Sequence, residues 1–489
     1  MLFNSLEFLL FLPLVFSLYW LLNRGVNLRW QNLFLLLVSY VFYGWWDGRF
    51  LVLIAFSTLV DYAVGQRIEA NQTSRKRAKG WLLLSLITNL GLMGYFKYAN
   101  FFIDSWVHAW AKIGVEMNVS TLQIILPVGI SFYTFQTLSY SIDIYRGKLK
   151  PTRDLIAFAT FVAFFPQLVA GPIERARDFL PQISKKRLFN ADFAASGLRL
   201  MLCGLIKKVV IADTAGRFVD TAYSLDGLSP LAVFTAAALF TIQVYGDFSG
   251  YSDIAIGTAR LFGIRLSTNF RMPFFARNMR ELWQRWHISL NSWFTEYVYI
   301  PLGGSRKGKW RAQINIMIVF VISGLWHGAS WNYVLWGVIN GLLLVGINLF
   351  KGKASKEGQV ADNRWWPTGL ETWQMFRTFS LFALTTVVFR LRNLAQAKSV
   401  FAQLLGLHPG ETSVYRVLEH SDLSKFEARF FAAALLATFL IEWASRLPQV
   451  YQAYQRRPVI RHFSYITGCA AVLALTRPGA GQAFIYFQF

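Results

Sequence analysis

Cysteine is almost missing: Cys203 and Cys469 are the only 2 in 489 residues. That excludes a disulfide framework and leaves no matching pair for a zinc site. Charge is scarce as well. Charged residues make up 15% of the chain, against about 25% in soluble domains, and acidic residues are the rarer sign, 26 against 49 basic. No long polar stretch separates the apolar segments between Leu6 and Leu475, so nothing marks off a separate soluble domain. What is abundant is apolar: 55% hydrophobic and 17% aromatic residues. The reading is one polytopic, all-α integral membrane domain over 1–489, with both thiols free and buried.

A net charge of +23 raises the question of nucleic acid. The basic residues, however, lie in short clusters between apolar segments, as expected of cytoplasmic loop bias and contact with anionic membrane lipid. No nucleic-acid partner is expected, whereas an anionic substrate arriving from the cytoplasm stays open. Glu7 is the only early charge, so the first apolar run, 6–22, reads as a retained span and not as a signal peptide. The dense loop with Arg75, Lys76, Arg77 and Lys79 is placed in the cytoplasm, and three crossings before it put the N-terminus outside. Later clusters at 175–187, 265–285 and 306–311 are too frequent for simple alternation. Either re-entrant segments intervene or some basic loops face outward.

Apolar stretches occur at 6–22, 33–46, 50–64, 81–98, 122–141, 155–170, 194–211 and 231–245, and again at 314–326, 333–350, 376–389, 430–443 and 463–475. Several fall short of the roughly 20 residues of a full span, so about eleven true crossings plus shorter or re-entrant helices are expected. The interval 266–311 differs in kind, interleaving aromatic and cationic residues as an interfacial helix does. Residues 279–294 contain no Gly or Pro, and Leu282, Trp286, Trp293 and Phe294 share one face of the predicted helix.

Two Trp-His pairs stand out, Trp286-His287 in that interval and Trp326-His327 in SGLWHGASW. A side chain that exchanges a proton near neutral pH rarely enters lipid without a task. The plain alternative for each is a packed histidine bonded to a carbonyl, and at His287 interfacial satisfaction competes further. No H-x-x-x-H or H-E-x-x-H spacing occurs, so no metal is expected. In YGDFSGYSD, Asp247 and Asp253 follow an apolar run. Structural pairing with cations such as Arg271 or Arg285 is the first reading, and orienting a histidine is the second. The chain ends in FIYFQF, residues 484–489, whose apolar character predicts burial. Tyr486 is then an aromatic anchor, or a phenol that a nearby base could turn into an acyl-accepting nucleophile.

The segments DFSGYSDIAIG, LWQRWHISLNSWF, YIPLGGSRKG and GLWHGASW, together with LPVGISFYTFQTLSY, FPQLVAGPIER, GYFKYANFF and the terminal FIYFQF, resemble the membrane-bound O-acyltransferase superfamily. The likeness is closest to its bacterial branch, which includes the alginate O-acetyltransferase membrane subunit, and it runs in order along nearly the whole chain. Two departures are visible. Thr295-Glu296 stands where the family commonly has Arg-Asp, and Gly246 replaces a bulkier residue before Asp247.

The resemblance implies a ring of about eleven spans around a thinned centre, with a tunnel from cytoplasm to outer face. It places the family's invariant histidine on His327, the second motif histidine on His287, and a proposed acyl-relay tyrosine on Tyr486. Asp247, Asp253, Arg285, Trp286 and Trp326 become candidates for the tunnel wall. The implied reaction moves an acetyl group from a cytoplasmic thioester, acetyl-CoA being the natural donor, to an exported envelope polysaccharide such as alginate. No tightly bound cofactor is implied. A periplasmic acetyltransferase partner and the bacterial inner membrane are. Two other classes compete: a proton-coupled transporter or flippase using the histidines as a relay, and a non-catalytic scaffold, in which both histidines would tolerate substitution.

Overall fold

The computed structural model describes every residue except 26, 118, 120, 123, 170, 351–359, 362–363, 392–393, 409, 477–483 and 486–489. Among the described residues the regular structure is helical, and the sole β-type pairing is an isolated bridge between Leu228 and Thr412. Lipid imposes this outcome, because a helix satisfies its backbone polar groups within one segment. Six helices are long and apolar enough to cross a membrane: Leu6–Asn23, Phe50–Ala70, Pro230–Leu261, Trp331–Phe350, Lys425–Ser445 and Pro458–Leu475. Shorter helices accompany them, including Ile130–Tyr145 and Leu155–Ala163. Large apolar side chains stand exposed along several of these spans, among them Leu9, Val52, Leu440 and Ile466. Such a surface is at home in hydrocarbon.

The chain divides into two compact units, residues 1–200 with 255–267, and residues 201–254 with 268–489. The first is organised around Ile130–Tyr145, nearly all of which is buried. Several of its buried polar groups find partners inside the unit, as a low-dielectric interior favours. Asp61, on Phe50–Ala70, accepts from Ser85 Oγ at 2.5 Å, Asn89 Nδ2 at 2.6 Å and Ser141 Oγ at 2.8 Å. The buried Arg187 donates to Gln31 Oε1 at 2.8 Å and Asn32 Oδ1 at 2.7 Å, with its guanidinium 5.6 Å from the Tyr19 ring centre. Glu174, on the loop before Ala176–Ile183, accepts from the Ser267 backbone N–H at 2.6 Å and from Ser267 Oγ at 2.7 Å.

In the second unit, Lys309–His327 and Trp331–Phe350 form a helical hairpin. Glycine allows the two backbones to touch. A Cβ on Gly324 would lie 2.2 Å from the Tyr333 carbonyl oxygen, and one on Gly337 would lie 2.3 Å from the Phe320 carbonyl oxygen. Packed on this hairpin are Leu282, Trp286, Phe382 and Phe389. Further along, the helices Gly369–Arg390 and Lys425–Ser445 each begin with a capping box, Thr368 with Glu371 and Ser424 with Glu427, which satisfies two of the backbone donors exposed at a helix start.

The cysteines correct an expectation: Cys203 and Cys469 are free, but exposed and not buried. A thiol is apolar enough to sit on a lipid-facing helix without needing a protein pocket.

Burial pushes the Glu174 carboxyl up from its ordinary 4.5 to about 7, against the opposing pull of the Ser267 hydrogen bonds. A raised acid pKa means that folding favours the protonated form. This contribution to stability is therefore full below pH 4.5 and lost as pH climbs through about 7. We predict that thermal unfolding of the detergent-solubilised protein loses part of its pH dependence across this window in E174Q, whose amide keeps the acceptor oxygen. An unchanged slope would contradict it. Glycine contact at the hairpin yields a second expectation. G337A should destabilise by about 1–3 kcal/mol, the usual range for overpacking, whereas G346A on the same helix, where an added Cβ meets nothing within 4 Å, should be neutral or stabilising. Equal melting temperatures for the two variants would refute the close approach.

Candidate active site

The predicted helix over 279–294 is interrupted at the Trp-His pair. Met279–Arg285 and Ile288–Phe294 are separate helices, and His287 between them has a left-handed backbone with φ +45°. That conformation costs a non-glycine residue roughly 1–3 kcal/mol, so the surroundings must enforce it. Asn291 Nδ2 takes up the carbonyls of Trp283 at 2.7 Å and Trp286 at 2.6 Å. The neighbouring strand of chain locks the other side: Ile288 N–H donates to the Asn269 carbonyl at 2.9 Å, Ser289 Oγ to Asn269 Oδ1 at 2.9 Å, and Arg271 N–H to the Arg285 carbonyl at 2.9 Å. Asn278 caps the first helix by accepting from the Glu281 N–H at 3.0 Å. Periodicity could not reveal the break, because these partners are fixed by the tertiary fold.

The break turns the His287 ring inward. The residue is 2% exposed and stands 4.6 Å from the Phe248 ring and 5.8 Å from the Trp326 ring, centre to centre. His327, the last residue of Lys309–His327, lies 5.0 Å from Trp326, 5.1 Å from Trp336 and 5.4 Å from Phe389. The Trp326 indole thus neighbours both histidine rings, and the two Trp-His pairs meet in one aromatic cluster. Trp286 forms part of its wall, packed against Phe270 at 5.3 Å and Phe382 at 5.0 Å.

His287 lies outside the candidate spans. Burial first, and the neighbouring His327 second, hold its imidazole well below the ordinary 6.5. Neither of its ring nitrogens has a hydrogen-bond partner among the described residues. Leaving a buried polar group unsatisfied costs about 1–3 kcal/mol, and such exceptions call for a reason. A neutral imidazole that the described residues leave unengaged can accept a proton or a hydrogen bond from a substrate.

The carboxylates are paired, but not with the arginines expected. Lys208 Nζ lies 2.6 Å from Asp247 Oδ1 and 2.8 Å from Asp213 Oδ1, while Lys207 Nζ lies 3.0 Å from Asp253 Oδ2 and 3.4 Å from Glu442 Oε1. Arg285 instead pairs with Glu281, four residues back on its own helix, which also takes the Arg277 guanidinium at 3.2 Å. The reason is local geometry. Residues Ile206–Asp213 form a π-helical segment, and small residues face it: a Cβ on Gly246 would lie 3.0 Å from the Lys207 carbonyl oxygen, and one on Gly250 would lie 2.7 Å from the Gly204 carbonyl oxygen. This accounts for a glycine at 246, and it brings two consecutive lysines against Pro230–Leu261.

The C-terminal segment meets the same helix. Phe484 and Ile485 are buried, as their apolar character predicts, and the Ile485 N–H donates to Asp247 Oδ2 at 2.6 Å. The Phe484 ring packs 4.4 Å from Tyr251 and 5.9 Å from Phe248, the latter also a wall of His287. Tyr486 lies outside the described residues.

Lys207, Lys208, Asn269 and Asn291 were missed by sequence reasoning. The lysine pair carried a signal, two cations inside the apolar stretch 194–211, which in a membrane protein call for carboxylate partners. The asparagines carried none. Among the described residues no group of three or more His, Cys, Asp and Glu is gathered as a metal would require.

The family model described as "MBOAT, membrane-bound O-acyltransferase family" matches residues 149–353, a stretch that holds both Trp-His pairs. The chain is 40% identical to a probable alginate O-acetylase AlgI of Pseudomonas putida, over 83% of this chain and 80% of that protein. It is 34% identical to a peptidoglycan O-acetyltransferase of Helicobacter pylori, over 83% and 80% respectively. A teichoic acid D-alanyltransferase of Bacillus subtilis is 28% identical over 49% of this chain and 63% of its own length. All three relatives are named for group transfer. With relatives of this identity and coverage, the chain belongs to the membrane-bound O-acyltransferase family and is an O-acyltransferase.

Proposed function

We propose that this protein carries an acetyl group from a cytoplasmic thioester across the bacterial inner membrane for O-acetylation of an exported cell-envelope polysaccharide. Alginate is the favoured acceptor, since the alginate O-acetylases share 40% identity with this chain over most of its length. Acetyl-CoA is the favoured donor, a thioester whose polyanionic carrier suits the cationic loops of a +23 chain. The single observation that carries the reading is the meeting of His287 and His327 at the Trp326 ring, in an aromatic cluster bordered by the segment that leads into Tyr486.

In this mechanism an imidazole nitrogen of His327 takes the proton from the accepting hydroxyl as its oxygen attacks the thioester carbonyl carbon. The tetrahedral intermediate collapses with cleavage of the C–S bond, and the departing thiolate receives the proton from His327. The first acceptor is Tyr486, whose phenol needs such a base because its ordinary pKa is near 10. The aryl ester then passes its acetyl to a hydroxyl of the glycan or of a periplasmic acetyltransferase partner, which regenerates the phenol. His287, neutral and unengaged, accepts a hydrogen bond from the substrate and keeps it in line. The aromatic walls exclude water that would otherwise hydrolyse the thioester. The tunnel that would join the two membrane faces, lined in part by Asp247, Asp253, Arg285, Trp286 and Trp326, belongs to this proposal. So do a ring of about eleven spans and an N-terminus on the periplasmic side.

H327A should abolish polysaccharide O-acetylation in cells while the protein still reaches the membrane at normal abundance, with the loss exceeding about a hundredfold for removal of a general base. Glycan mass spectrometry showing normal acetyl content in that strain would sink the proposal. The relay is judged separately by Y486F, which keeps the ring and removes only the hydroxyl. Wild-type acetylation in that variant would make the tail an anchor alone.

A further inference from the structure

The Ile485 backbone N–H and the Asp247 carboxylate, 238 residues apart in sequence, meet in a buried hydrogen bond of 2.6 Å. Nothing in the acyl-transfer scheme requires this contact, yet the surrounding structure is arranged for it. One oxygen of Asp247 faces the Lys208 ammonium at 2.6 Å, and the other receives the N–H. The carboxylate cannot turn away from the tail without disturbing its ion pair. We infer that Asp247, held by Lys208, is a positioning residue that fixes the path of the C-terminal segment beside the His287 wall through a bond to its main chain.

Three details favour positioning over mere packing. The acceptor recognises a backbone N–H, so what it specifies is the course of the chain at 485 and not the side chain there. The acceptor is charged, and a charge-assisted bond is roughly twice as strong as a neutral one. Lastly, the same turn of helix organises both partners of the chamber. Asp247 and Tyr251 are four residues apart on one face, where they hold Ile485 and Phe484, while Phe248 between them packs on both Phe484 and His287. A shift of the tail is therefore felt at the histidine, and the residue that follows the anchor in sequence is Tyr486. This inference rests on the acyl-transfer reading for its effect on rate, but not for its effect on the tail.

The deciding variant is I485P, which removes the N–H while leaving the Asp247–Lys208 pair intact. Two measurements on the full-length protein in detergent or vesicles apply: acetyl transfer from acetyl-CoA to a polysaccharide, and trimming of the C-terminus by carboxypeptidase followed by mass spectrometry. I485P is expected to lower kcat on the order of tenfold, as loss of a hydrogen bond to a charged group does, with KM for acetyl-CoA unchanged. It should also speed trimming on the order of tenfold, if an anchored terminus is protected by that same bond. D247N should do both as well, because its amide must point NH2 either at the Lys208 ammonium or at the Ile485 N–H. If H327A is inactive but I485P transfers acetyl and resists trimming like the wild type, the positioning role is wrong and the function stands. If H327A retains full transfer, the function reading fails, and trimming of I485P alone still decides whether Asp247 anchors the tail.

Discussion

Lys208 makes two carboxylate contacts at the heart of the second unit, to Asp247 and Asp213. Buried ions are expensive, and breaking such a pair by removing one partner costs about 3–5 kcal/mol. The pairing is possible only because glycines at 204, 246 and 250 let the helix bearing Lys208 approach Pro230–Leu261 closely. Once Asp247 is fixed, the helix turn that carries it presents Phe248 to His287 and Tyr251 to Phe484. The chamber, the tail and the charge balance all depend on that one contact.

A similar economy governs the histidines. Each sits at the end of a helix and not in the middle of one, His287 where two short helices break apart and His327 where a long one stops before Gly328. A ring at such a position can be aimed independently of helical periodicity. At His287 the aiming is enforced by asparagines, whose side chains supply to main-chain groups the partners that lipid cannot. At His327 it follows from the glycine-mediated contact of two backbones. In the first unit the same requirement appears without chemistry attached: Asp61 and Arg187 are each surrounded by neutral hydrogen-bonding groups of neighbouring helices, which makes polar groups into helix-to-helix fasteners.

Much of this was legible in the chain. Apolar composition and scarce charge announce a membrane protein, and both histidines are conspicuous by residue type. The buried tail follows from its apolar sequence as far as Phe484 and Ile485. The partners of the charges were not legible. Arg285 looked available to Asp247, but an arginine four residues from a glutamate on the same helix finds it locally. Lys207 and Lys208 are distant in sequence from the aspartates they meet. The uninterrupted helical pattern over 279–294 also misled, since no local residue demanded a break.

Sequence alone determined the class of the molecule and its helical architecture, because lipid constrains composition and backbone bonding residue by residue. Tertiary structure decided which of those side chains meet. It bent the chain at His287 against local preference, brought Trp326 against both histidines, and joined Ile485 to Asp247. These outcomes depend on contacts between residues far apart along the chain, whose energies arise only when helices are close enough for small residues to touch and buried charges to find each other.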